Sequence, residues 1–163
     1  MKKLLLALML VMPLSVFAQK FGHFNMNEIG AAMPESQALQ KDLESKSKVY
    51  QDEIEHMQSE FRAKLEDYQK NVDTLVDAVK QRREQELTEL QQRIEEYVNK
   101  SSQELNELRN QKTQEIMDKI LKAVEAVGQE GGYVYIFDIN SLPYYSKTLS
   151  EDVTAKVKAK LGL

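Results

Sequence analysis

Between Pro34 and Gly128 the chain contains neither glycine nor proline, so 93 consecutive residues carry no helix breaker. The run is built largely from Gln, Glu, Lys, Arg, Leu and Ala, which lose little side-chain freedom in a helix. A long helical segment over residues 35–127 is therefore expected. As one unbroken rod it would reach roughly 140 Å, at about 1.5 Å per residue.

The apolar positions say how such a helix can pack. Leu39, Leu43, Tyr50, Ile54, Met57, Phe61, Leu65, Tyr68, Val72, Leu75 and Val79, with polar Ser47 taking one slot, make 11 steps across 40 residues. That spacing lies closer to the 11-residue pattern, about 3.67 per step, than to the 3.5 of a left-handed heptad coil. A second stripe follows at Leu87, Leu90, Ile94, Val98, Leu105, Leu108, Ile116 and Ile120, with Ser101 and Lys112 as polar members of the seam. Two such stripes can zip together, but each is too narrow to enclose a deep core.

The ends of the run favour a hairpin over a rod. Lys20 to Met26 before it and Gly132 to Asp138 after it are aromatic and β-branched, as strands are. A rod would hold these two runs at opposite ends with unpaired backbone, whereas a fold-back brings them together. The turn is expected near 71–77, where Asn71, Asp73 and Thr74 can bond the local backbone in place of a helical ladder. Thr74 and Asp77 have the spacing of a weak capping box. Two strands are too few for independent stability, so several chains should pool theirs. A turn at Ser141-Leu142-Pro143 and a short amphipathic helix from Ser150 to Leu161 complete the chain.

Lys2 and Lys3, the apolar run Leu4 to Val16 and the small residue Ala18 read as a secretory signal peptide cut after Ala18. The apolar run is interrupted by Pro13 and Ser15 and is short of the roughly 20 residues that span a bilayer, so no stable membrane insertion is expected. Gln19 follows the cut where lipid attachment would need cysteine, and the absence of cysteine anywhere excludes disulfides and thiolate metal sites. After the cut, 20 basic residues face 26 acidic ones, a net charge of −6 with both signs mixed along the helices. No nucleic acid partner is expected, because phosphate affinity depends on clustered cations. His23 and His56 lie far apart in sequence with no nucleophile in a recognisable arrangement, so no enzyme, no catalytic residue and no cofactor are expected. Glu84, Glu86 and Glu89 lack the glycine-turned loop of a calcium site, and no metal is expected.

The signal peptide, a strand ending in Asn25-Met26, the helical hairpin, and Tyr133-Val134-Tyr135-Ile136-Phe137-Asp138 followed by Asn140, Tyr145 and Asp152-Val153-Thr154 together resemble the Skp/OmpH family of periplasmic chaperones. The resemblance covers nearly all of the chain after Ala18, and residues 132–154 are its most specific part. It implies a mainly α chain: a long antiparallel helical hairpin, or coiled-coil tentacle, over 35–127, set on a small oligomeric β-rich body made from 19–34 and 128–163. It further implies a homotrimer whose tentacles enclose unfolded outer-membrane β-barrel proteins in the periplasm, as a holdase that prevents their aggregation. The family's best-known members are strongly basic and this chain is acidic, but a holdase working through many weak contacts does not need that charge. The competing expectation is a structural or adaptor coiled coil of the cell envelope.

Three groups of residues are candidates for function. Phe21, Phe24, Val134, Ile136 and Phe137 are assigned to the core of the oligomeric body. Tyr50, Met57, Phe61, Tyr68, Tyr97 and Met117 fall on or near the seam; packing is their default role, and amphipathic rings and adaptable thioethers also suit contact with an unfolded client. Lys80, Arg82 and Arg83 form a basic group near the tip. It is smaller than the usual lipid-binding cluster of about four to eight cations, which limits it to a weak membrane-surface contact.

Overall fold

A computed structural model describes residues 19–163. The signal-peptide expectation falls on residues 1–18 and lies outside the described residues. In chain order the elements are β1 (Lys20–Phe24), α1 (Met26–Ala32), α2 (Pro34–Asn71), a 3-10 turn (Val72–Thr74), α3 (Asp77–Gly131), β2 (Tyr133–Asp138), a 3-10 turn (Ile139–Ser141), β3 (Ser150–Asp152) and α4 (Thr154–Leu161).

Local chemistry sets these boundaries. The Asn25 side chain caps α1 by accepting from the Glu28 N–H. Met33 is extended, as a residue before proline prefers, and Pro34 opens α2 where its missing N–H costs nothing. The fold-back is held by side chain to backbone bonds: the Asn71 amide donates to the Asp67 carbonyl and the Thr74 hydroxyl to the Asn71 carbonyl, both at 2.8 Å. Leu75 and Val76 are then extended, and α3 starts at Asp77. The Thr74 hydroxyl is thus spent on the turn, and no side chain caps α3, so the capping box read from the sequence does not form. Leu75 and Val79, counted with the first stripe, lie beyond the turn. The 55-residue α3 ends at Gly132, whose φ of 64° is the left-handed conformation that glycine adopts without strain.

The helices α2 and α3 pack as a thin antiparallel pair. No residue of α2 is fully buried, and between the turn and residue 115 only Leu90 and Ser101 of α3 are. Ser101 turns its hydroxyl back to the Tyr97 carbonyl, so a polar seam residue is satisfied within its own helix. Burial deepens only at the base. There Ile116, Ile120, Ala123, Val124 and Val127 of α3 pack with Phe24, Ile29, Met33, Val153 and Val157, so the last turns of α3 belong to the core of the body.

The sheet has the order β2-β1-β3 and is parallel throughout. Its ladder slips by one residue between Lys20↔Tyr133 and Phe21↔Tyr135, leaving Val134 as an extra residue. The slip lets Tyr133 and Ile136, three positions apart, both pack against the core. Gly22 permits that approach, since a Cβ there would come within 3.1 Å of Ile136 and 3.2 Å of Tyr133.

Two elements differ from the sequence-based expectation. Residues 26–32, grouped with a β-rich segment, form helix α1. The terminal helix begins at Thr154 and not at Ser150, because Ser150–Asp152 pairs with the second edge of β1 and the Asp152 carboxylate accepts from the Thr154 N–H at 2.9 Å.

The residues after β2 that carry the family resemblance form a polar clasp at the C-terminal ends of the strands. Asp138 Oδ1 accepts from the Met26 N–H (3.1 Å), the Asn140 N–H (3.2 Å) and the Asn140 side chain (2.8 Å). Asn140 also donates to Asn25 Oδ1, and the Asn25 N–H donates to the Thr154 hydroxyl. One carboxylate thus joins the end of β2 to the start of α1 and to the 3-10 turn that follows. Asp138→Ala leaves these donors without their acceptor and should destabilise the protein by about 1–3 kcal/mol, read as a lowered midpoint in urea unfolding, while the circular dichroism of the helices at zero urea is unchanged.

Candidate functional site

Two surfaces carry exposed apolar side chains: the outer face of the sheet and the flanks of the hairpin. On the sheet, Phe21, Tyr135 and Phe137 form a stacked aromatic row, with ring centroids 6.3 Å apart for the first pair and 5.7 Å for the second. Tyr135 is 58% exposed, Val134 47% and Phe137 43%. Contiguous apolar surface of this kind marks an interaction site. Of the five residues assigned to a body core, Phe24 is buried and Ile136 packs against the core, while Phe21, Val134 and Phe137 are not enclosed by their own chain. Tyr135 was missed, although the alternation Phe21/His23 and Tyr135/Phe137 places it on the same face. His23 is buried beneath Tyr145, and its Nδ1 lies 2.8 Å from the Ser150 hydroxyl, which ties β1 to β3.

On the hairpin, Tyr50, Met57, Phe61, Tyr68 and Tyr97 are half-buried in the seam. Tyr50 and Tyr97 meet edge to face at 6.1 Å, and the Tyr50 hydroxyl donates to Glu104 at 2.7 Å. Tyr68 reaches across in the same way to Glu84. Each bond to a carboxylate, with Glu104 and Glu84 the leading causes, raises the pKa of its tyrosine. These rings pack the arm together while keeping an edge at its surface. Met117 is placed differently: its neighbours Ile116 and Ile120 take the seam, and Met117 stands 39% exposed with Leu121 on the outer flank. At 100° per residue Met117 lies to the side of the direction shared by Ile116 and Ile120, which carries it to the flank.

At the tip, Arg82 pairs with Glu86 along its own helix at 3.1 Å and Arg83 with Asp67 across the hairpin at 3.6 Å. Of the three candidate cations, Lys80 alone has no carboxylate within bridging distance among the described residues. Val76 and Val79 are exposed beside it, among exposed polar and acidic residues such as Asp73 and Asp77.

The strongest electrostatic cluster is in the body. Glu151 of β3 accepts from Lys156 and lies 3.1 Å from Lys20, and both lysines approach the Tyr133 ring. Lys156, then Tyr133 and Lys20, hold the Glu151 carboxyl down at about 2, and Glu151 in turn pushes Lys156 up to about 12. Both cations are paired with the one Glu151 carboxylate, so the cluster serves to bind β3 and α4 to β1 and β2.

The sequence pattern of the family described as "Outer membrane protein (OmpH-like)" matches residues 20–161. Among solved structures, an OmpH-like candidate outer membrane chaperone from Caulobacter crescentus superposes with a TM-score of 0.75 at 10% identity, covering 88% of this chain and 83% of that one. At that identity the likeness shows a shared fold. No curated protein matches the chain.

The Glu151 cluster has a testable pH signature. A carboxyl lowered in the folded state stabilises it above the unfolded value, 4.5, and loses that contribution as the pH falls through about 2. Glu151→Gln should therefore melt below the unsubstituted protein at pH 7, with the gap closing between pH 4.5 and 2. The gap at pH 7 should also shrink in high salt, since the group is exposed and screened.

Proposed function

Because the chain belongs to the OmpH-like family, we propose that it is a periplasmic holdase: a homotrimer that receives unfolded outer-membrane β-barrel proteins between its arms and keeps them from aggregating. The observation that carries this reading is the disproportion between the arms and what they bury. Thirty-eight residues of α2 leave none of their side chains fully buried, so the hairpin adds little to the stability of its own chain and mainly presents surface. The arm offers half-buried aromatic edges and charged flanks, suited to many weak contacts with clients of differing sequence. Phe21, Val134, Tyr135 and Phe137 supply the apolar face through which three bodies would join. In this reading Tyr50, Met57, Phe61, Tyr68, Tyr97 and Met117 touch clients by their exposed edges.

Membrane insertion is no part of the proposal, since no described helix is long and apolar enough to cross a bilayer. With Arg82 and Arg83 engaged by carboxylates, any tip contact with a membrane surface would be weak.

The test is to dilute a urea-unfolded outer-membrane β-barrel protein into buffer containing the purified chain and follow light scattering. Scattering should be suppressed at about one trimer per client. Undiminished aggregation at several-fold excess would remove the holdase reading and leave a structural coiled coil of the cell envelope.

A further inference from the structure

The cut expected after Ala18 sets Gln19 at the head of the exported chain. Glutamine differs from other residues in that position. Its side-chain carbonyl carbon stands at the distance from its own α-nitrogen that closes an unstrained five-membered lactam. An α-amine titrates at about 8, so part of it is neutral and nucleophilic at neutral pH. The two groups belong to one residue and need no neighbour to bring them together.

The fold leaves Gln19 able to react and gives the reaction a consequence. Gln19 is exposed and lies outside β1, whose ladder begins at the next residue with Lys20↔Tyr133. A single residue therefore separates the new terminus from the central strand of the sheet. Lys20 also bridges Glu151 at 3.1 Å, and Phe21 is the first residue held by both β2 and β3. Proteolysis concentrates at chain ends. An aminopeptidase starting from a free α-amine would take Gln19, then Lys20 with its bridge, and then the first residue that both ladders share.

We propose that Gln19 is a modification site, converted after export to an N-terminal pyroglutamate that protects β1 from trimming. The α-nitrogen attacks the side-chain carbonyl carbon Cδ, and the bond from Cδ to the amide nitrogen breaks. That nitrogen leaves as ammonia, taking the proton that the amine gives up. Nothing is oxidised or reduced and no co-reactant is consumed. The lactam removes the terminal charge, as other N-terminal caps do, and leaves no α-amine for an aminopeptidase to engage. The proposal rests on export and on the cut after Ala18, and is independent of what the arms hold.

The test exports the full chain with its own leader from a bacterial host and reads the purified product by intact mass. Tandem mass spectrometry of the peptide ending at Glu28, from a Glu-specific digest, locates the change. The product should begin at Gln19 and be lighter than the encoded residues 19–163 by one ammonia. Pyroglutamyl peptidase, which releases only that lactam, should uncover Lys20. Gln19→Asn is the control, because its shorter side chain could close only a strained smaller ring and so keeps its α-amine. Incubated with a broad-specificity aminopeptidase, the unsubstituted product should hold its mass. Gln19→Asn should lose its first residues several-fold faster and melt lower as Lys20 and Phe21 go. A product that begins at Gln19 with its ammonia retained would overturn the lactam. One that begins elsewhere would overturn the cut, and the lactam with it. A Gln19→Asn product that keeps its terminus as long as the unsubstituted one would overturn the protective role, since the strand alone would then suffice.

Discussion

The pairing of β1 with β2 is the contact on which the rest of the structure depends. β1 is the central strand, and both of its partners come from the far end of the chain. Nothing local can satisfy its backbone groups. Unaided, closing a loop of more than a hundred residues carries an entropic cost. The turn at Val72–Thr74 changes the problem, because two helices that zip from a local turn deliver their ends side by side. The hairpin is thus the route by which the sheet forms, as well as the surface that projects from it. Once β1 and β2 meet, the Asp138 clasp and the core around Ile29, Ile120, Val153 and Val157 lock the base.

Much of this was legible in the sequence because it rests on periodicity. Every seam position read on α2 from Leu39 to Tyr68, Ser47 included, is half-buried in the structure. Ser101, placed in the seam despite its hydroxyl, is buried. Lys112, also assigned to the seam, is exposed, and the packing breaks where it stands. The turn was legible because Asn71 and Thr74 bond their own backbone.

What was not legible depends on partners distant in sequence. Ser150–Asp152 looks like the start of a helix until the free edge of β1 is available to it. The extra residue at Val134 cannot be read from alternation, since it exists only relative to the register of β1. Met117 sits one position off the seam, and a stripe that drifts by a fraction of a residue per step does not resolve such a difference. The exposed row Phe21, Tyr135, Phe137 reads as core from composition; only the fold shows that a single chain leaves it open. The Asp138-Asn140 and Asp152-Val153-Thr154 signature proves to be architectural: most of its side chains hold strand ends and helix starts in place.

Packing is thus concentrated at the base of the hairpin and accessible surface on its arms. The central claim, that the arms carry the activity, is tested most directly by shortening them. Removing Phe61–Asn71 and Asp77–Leu87 deletes 11 residues from each side of the turn, which keeps both stripes in phase, and shortens the arm by about 16 Å. In the light-scattering assay with an unfolded β-barrel client, the shortened protein should keep its sedimentation state and its folded base yet protect several-fold less client per mole. Protection equal to that of the full-length chain would contradict the account and place the activity in the body.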